Sequence, residues 1–407
     1  MIDCTSITDE NLVHLKSLNS LETLRIHRNR QLFGDGLVSL KNLTSLRDLQ
    51  FHATPIGDDA LEYISQLRSL ETLSLQSTLV TDEGLAHLKD TSFLKELLIP
   101  KYVTDEGLVH LKGLTSLEKL TIYNPNITDI GLAHLRGMSS LKSLKLCSSQ
   151  ITETGVEQLS KDLPELDIQI SLRIVDNTEM TRIKDLSCIT SLSMFRSKVT
   201  DEGFANIESM TSLTYLNASY TGITDVGFAH LQRLQALNNL DLTDSLITDV
   251  GLVYVKYLTA LKTLRLRNTV ITDAGLVYLK NLKTLEMLFL DNTHISDAGL
   301  VHLKNLTSLH VLFLGGANIT GSGLIHLKPL KALYHLDLSG APLTDEAIEH
   351  LKEMTWLRTL SLDTGEISNE ALENLRQTLP DCTLQIRKKP FAQKTKRPKY
   401  HILVETI

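Results

Sequence analysis

The chain has 407 residues, 42% of them hydrophobic and 22% charged, with a formal net charge of −7; that balance excludes a disordered chain and is enough for a large buried core. No apolar run reaches the roughly 18 residues of a membrane helix, and the first ten residues lack the basic start and apolar stretch of a secretory signal, so a cytoplasmic protein without membrane contact is expected. Between 387 and 407, seven Lys or Arg stand against one acid, a local +6 that leaves −13 on the rest, and an acidic body argues against nucleic-acid binding.

From the N-terminus onward, an aliphatic residue recurs before a Thr-Asp pair or its equivalent: Ile7, Leu32, Ile56, Val80, Val103, Ile127, Ile151, Val175, Val199, Ile223, Ile247, Ile271, Ile295, Ile319, Leu343 and Ile367. The spacing is 24 residues, with single departures to 25 and 23 before Ile127. A period in this range denotes a solenoid, here of about 16 repeats over 1–388. In one unit, Leu261, Leu264, Leu266 and Ile271 alternate as a strand does, and Leu276, Leu279 and Leu282 then recur at helix-like spacing. Thr272 is placed to cap the helix, and Asp273 sits where the helix dipole is positive. Each repeat is therefore read as strand, turn and helix, with the strands in one parallel sheet and the narrower strand side concave.

The motif "ITDxGLxxLxxLxxLxxLxLxxT" resembles leucine-rich repeats abundant in environmental bacteria, and is similar to the cysteine-containing type of F-box ubiquitin-ligase receptors. Thr54, Thr78, Thr221, Thr269 and Thr293, or Ser149, Ser197 and Ser245, stand where those receptors carry cysteine. The resemblance implies an α/β leucine-rich-repeat solenoid, a horseshoe with a parallel sheet on its concave face and short helices on its convex face. It also implies a protein-binding role.

Three places depart from the rhythm. Aligning Ile7 with Ile271 puts Ile2 in the second inward position of a strand, so the first repeat starts without the polar cap a solenoid end needs; residues upstream or some other cover is expected. The stretch "LSKDLPELDIQI" at 159–170 resembles "LRQTLPDCTLQI" at 375–386, nine periods later. The later one reads as an end cap, and the earlier one as a former end inside the chain, giving an irregular repeat near 159–186 that keeps the apolar register through Met180, Ile183 and Leu186. The basic segment 389–407 reads as a tail, the one part suited to an anionic partner such as nucleic acid.

The residues between and beside the paired leucines face away from the core. In that mostly polar column Phe289 and Phe313 stand out. Met287 and Val311 lie beside them, and Arg265, Arg267, Asp291, His335 and Asp337 form a polar rim, the arrangement of a protein-binding hot spot. The other reading is that the aromatic pair only supports neighbouring strands. Phe195, Tyr215 and Tyr220 form a secondary candidate.

Histidine at one helix position (His14, His87, His110, His134, His230, His302, His326, His350) lacks the companions of a metal site and reads as a half-exposed stripe. The recurrent Lys and Asp read as solvated outer stripes, and the glycine of "TDxG" as a packing feature. Cys4, Cys147, Cys188 and Cys382 show neither disulfide nor zinc spacing and read as unpaired thiols. With no phosphate loop, GxSxG or HExxH, no enzyme, cofactor or metal is expected. The function expected is a scaffold for a protein partner. The alternatives are the substrate-recognition part of a ubiquitin-ligase-like receptor or effector, or the recognition region of a larger enzyme.

Overall fold

The computed structural model describes residues 2–4 and 6–387, with side chains from residue 6 onward. The basic tail expected at 389–407 lies outside the described residues. The chain divides into two compact units, Met1–Leu216 and Asn217–Ile407.

In the first unit, consecutive strands from Ile2–Cys4 to Ser191–Ser193 pair in parallel. In the second, those from Asn239–Asp241 to Thr383–Arg387 do the same. Leu264, Leu288, Leu312 and Leu336 stand opposite one another in register, and all four are 0% exposed. Each unit is thus an α/β solenoid in which one layer of leucines joins an open parallel sheet to short helices.

Leucine every third residue has a consequence for helix type. Many helical segments, such as Gly107–Gly113, Asp297–Leu303 and Ser322–Leu327, are 3-10 turns rather than α-helices. A 3-10 turn eclipses residues i and i+3, so side chains three apart point into the core together. Beyond the helical turn the same spacing continues, with the Leu282 N–H donating to Leu279 and the Leu285 N–H to Leu282.

Between strand and helix the backbone turns sharply through a residue of positive φ, including Asp244 (54°), Asn268 (56°) and Asn292 (54°). Short polar side chains tolerate that conformation. They also link repeats, as the Asn292 amide donates to Asn268 Oδ1 at 2.9 Å and the Asn268 amide to Asp244 Oδ2 at 2.8 Å. The next residue, Thr269, is buried, and its hydroxyl donates to the Leu266 carbonyl at 2.7 Å.

The aspartates do not form the solvated stripe expected from the sequence. Asp249 Oδ1 accepts from the Thr272 N–H at 2.9 Å and Oδ2 from the Thr272 hydroxyl at 2.6 Å. Asp225 holds Thr248, Asp273 holds Ser296, and in the first unit Asp58, Asp82, Asp105 and Asp129 hold Thr81, Thr104, Thr128 and Thr152 in the same way. The helix start leaves the capping N–H without a partner in its own repeat, and the carboxylate one repeat earlier supplies it. The motif glycine clears the space. A Cβ at Gly275 would stand 2.4 Å from Asp249 Oδ1, and one at Gly299 2.2 Å from Asp273 Oδ1. Thr272 also caps its own helix, accepting from the Ala274 N–H, as the sequence suggests.

The clamp fails at the irregular repeat, where Glu153 takes the aspartate position and Asp176 the threonine position. Two acids cannot pair, and Glu153 instead accepts from the Ser187 hydroxyl. Here the sheet register steps as well. The strand Asp167–Arg173 offers Ile168 to Leu144 but Leu172 to Leu192, a step of four residues within one strand. The apolar register does persist, with Met180 and Ile183 at 0% and Leu186 at 6% exposure. The outward column is nonetheless broken, because Ser193 stands opposite Arg173 and not Gln169. The two stretches that look alike in sequence also match in structure: helices Glu153–Asp162 and Asn369–Thr378 are each 10 residues long. At the start of the chain Ile2 pairs with Leu24, so it holds the first inward position and Cys4 the second, two residues from the register expected. The repeats before Ile127 vary in length, and a count from Ile7 misses that.

Replacing Leu264 by Ala should cost about 2–5 kcal/mol through lost burial and a cavity, while Arg265→Ala on the same strand should cost under about 1 kcal/mol. Equal losses in urea denaturation would contradict the assignment of faces. A second expectation concerns Asp297, whose carboxylate accepts from the N–H groups of Thr320, Gly321 and Gly323 and from the Thr320 hydroxyl. Burial alone would raise its pKa, but these hydrogen bonds outweigh it and hold the carboxyl below the usual range. A lowered folded value gives stability that is fully present above the unfolded value and is lost as pH falls through the folded one. Asp297→Ala should therefore cost about 1–3 kcal/mol at neutral pH, and the gap to the parent should narrow below about pH 4.

Candidate functional site

Side chains alternate across each strand, so the residue between two buried leucines projects from the open face of the sheet. On the adjacent strands Met287–Phe289 and Val311–Phe313, this puts Phe289 opposite Phe313 and Met287 opposite Val311. The two phenylalanine rings stack with centroids 4.9 Å apart and planes 14° from parallel, and His335 tilts against Phe313 at 4.9 Å.

Two guanidinium groups cover this stack. Arg265 lies 4.8 Å from the Phe289 centroid, and Arg267 lies 4.6 Å from Phe289 and 4.9 Å from Phe313. Arg267 also donates from Nε to Asp291 Oδ2 at 2.6 Å. Burial pushes the Asp291 carboxyl up, against the lowering pull of Arg267, with Asp337 adding to the rise. Beneath the two cations Phe289 keeps 9% of its surface exposed, whereas Phe313, Met287 and Val311 are half-buried. The pair is thus divided: Phe289 supports its neighbours, and Phe313 presents a face.

The rim residues differ in how fully they are satisfied. Arg265 makes no ion pair among the described residues, and Asp241, opposite it in register, is engaged by the backbone and hydroxyl of Thr243 through Oδ1 at 3.0 and 2.7 Å. Asp337 Oδ1 accepts from the Ser339 N–H at 2.8 Å. His335 Nε2, Ser339 Oγ and Asp363 Oδ1 are buried atoms without a hydrogen-bond partner. Gly315 stands in the column that runs from Asp291 to Ser339 and Asp363, where an added Cβ would lie 3.0 Å from Asp291 Oδ1 and 3.2 Å from the Ser339 carbonyl.

The sequence reading missed Ser339 and Asp363, together with an aromatic contact at the strand entrance, where His310 and Tyr334 lie 5.9 Å apart and Tyr334 is 47% exposed. A signal existed: both fill the position just before the strand where earlier repeats carry charges such as Lys262 and Glu286, which pair at 3.2 Å.

The secondary candidates fall in different units, Phe195 and Tyr215 in the first and Tyr220 in the second. Phe195 lies under the guanidinium of Arg196 at 5.1 Å. Tyr220 occupies the turn position at φ 56°.

Cys147, Cys188 and Cys382 are half-buried free thiols. Burial pushes all three up, Cys188 to about 11 with Glu153 adding to the effect, so none is poised as a thiolate. Among the described residues no group of three or more His, Cys, Asp or Glu gathers to hold a metal, and no helix is long and apolar enough to cross a membrane.

A leucine-rich-repeat family model matches residues 257–280. A search of curated proteins finds no match. Among solved structures, an internalin of Listeria monocytogenes is 24% identical over 87% of this chain and 88% of its own, with a TM-score of 0.45. A leucine-rich-repeat protein of Leptospira interrogans is 18% identical over 94% of this chain and 93% of its own, with a TM-score of 0.46. Toll-like receptor 13, solved in complex with ssRNA13, is 17% identical over 94% of this chain and 69% of its own, with a TM-score of 0.53. At these identities the likeness is one of fold alone. Taken with the 24-residue period and the register-matched columns of buried leucine, it identifies the fold as a leucine-rich-repeat solenoid.

Proposed function

We propose that this protein is a non-catalytic scaffold that binds a protein partner on the open face of the sheet in its second unit, which in a leucine-rich-repeat horseshoe is the concave face. The observation that carries the reading is the stack of Phe289 and Phe313 under Arg265 and Arg267, set in a column that is otherwise polar. Aromatic and arginine side chains held in place by packing are the residue types that dominate protein interfaces, and here their rotamers are restricted before any partner arrives. The acidic net charge of −7 on the whole chain favours a protein partner over nucleic acid.

Phe313 presents the face while Phe289 supports it, so Phe313→Ser is the informative change. Loss of one central aromatic anchor should weaken a protein complex by about 2 kcal/mol, some thirtyfold. The full chain on a resin, exposed to extract of the source cells, should retain a defined set of proteins by mass spectrometry. Phe313→Ser should lose that set, with its circular dichroism and urea midpoint kept, and Arg25→Ala in the first unit should keep it. An unchanged set on the folded Phe313→Ser protein would remove this face from the function.

A further inference from the structure

The open face around Phe313 is polarised. At one end Arg265 lies over Phe289 and makes no ion pair among the described residues, although Asp241 stands opposite it in register, whereas Arg267 is already paired with Asp291. At the other end Asp337 has only the neutral N–H of Ser339 on Oδ1, and Asp363 has a buried Oδ1 without a partner. Between the ends lie Phe313, Val311 and Met287. Arg265, Phe289, Phe313 and Asp337 occupy one position on four successive strands. At about 4.8 Å per strand, the cation and the acid are therefore about 14 Å apart with the half-buried Phe313 between them.

An extended polypeptide advances about 3.3 Å per residue and turns alternate side chains to the same side, so its residues i, i+2 and i+4 span about 13 Å. That matches the face in both length and order. We propose that the occupant is an extended protein segment lying across these strands, with an acidic, an apolar and a basic side chain at alternate positions. The acid meets Arg265, the apolar residue packs on Phe313 and Val311, and the base meets Asp337, with Asp363 beyond it. This rests on the reading of the face as a protein-binding surface and adds the chemistry of the partner. Opposed charges at the two ends select register and order more than they raise affinity, because a segment with the charges exchanged meets like charge at both ends.

The test is selection of linear peptides from a random display library on the full-length chain, repeated on Arg265→Glu, Asp337→Lys and Phe313→Ser proteins whose circular dichroism matches the parent. The expected outcome is a consensus with an acid and a base on opposite sides of an apolar residue, two positions from it each way. Arg265→Glu should weaken a consensus peptide at least about tenfold and select a base in place of the acid, and Asp337→Lys should do the converse. Arg265→Gln, which removes the charge without reversing it, should weaken binding without selecting a base. Peptides that need Phe313 but show no charge order would overturn the proposed occupant and leave the binding face standing. Peptides indifferent to Phe313→Ser would overturn both. Failure of any peptide to be enriched would rule out a linear extended occupant.

Discussion

The aspartate that reaches from one repeat to the capping threonine of the next sets the spacing on which the rest of the structure depends. A repeat of 24 residues is too short to enclose its own leucines, so it persists only by covering and being covered. Apolar burial is non-directional and holds neighbouring repeats together without choosing their register. The carboxylate makes the choice. Asp249 engages both the N–H and the hydroxyl of Thr272, which brings the following helix start to one place, and Gly275, two residues beyond Asp273, lets the Asp249 carboxylate in. A charge-assisted pair of hydrogen bonds, repeated at many of the junctions, is a geometric template as well as a stabilising contact.

At the irregular repeat the clamp and the sheet register change together. Glu153 and Asp176 put acids at both clamp positions, their carboxylates turn to Ser187 and to the Glu179 N–H, and the strand Asp167–Arg173 shifts its pairing by four residues. Leucine burial continues across this junction, and at Thr344, where Gly321 replaces the aspartate and the Thr344 N–H donates to the Thr320 carbonyl instead, the strands keep their 24-residue register. In the second unit, from Asp225 to Asp297, the clamps run unbroken.

That regularity is what makes the aromatic site possible. Two phenylalanines 24 residues apart stack within 14° of parallel only if their strands are in register and their backbones equivalent. The same equivalence lets Arg267 sit against both rings and still reach Asp291. A site assembled from side chains of successive repeats inherits its precision from the scaffold and not from its own contacts, which is why a few changed residues are enough to give it a new preference.

Much of this was legible in the chain itself. The period, the inward leucines, the parallel strands, the capping role of Thr272, the likeness of 159–170 to the end segment and the adjacency of Phe289 with Phe313 all follow from spacing, because a constant repeat turns sequence distance into position. The partners of the aspartates, the true register of Ile2, the four-residue step and the covering of Phe289 by two arginines did not. A carboxylate at a helix start looks the same whether it faces water or the repeat behind it, and an arginine on a polar column looks the same whether it is solvated or laid on a ring. Sequence by itself determined which residues share a face. Only the tertiary structure decided which of them touch, since hydrogen-bond geometry and ring contacts depend on ångström-scale offsets between repeats that a count of residues does not contain.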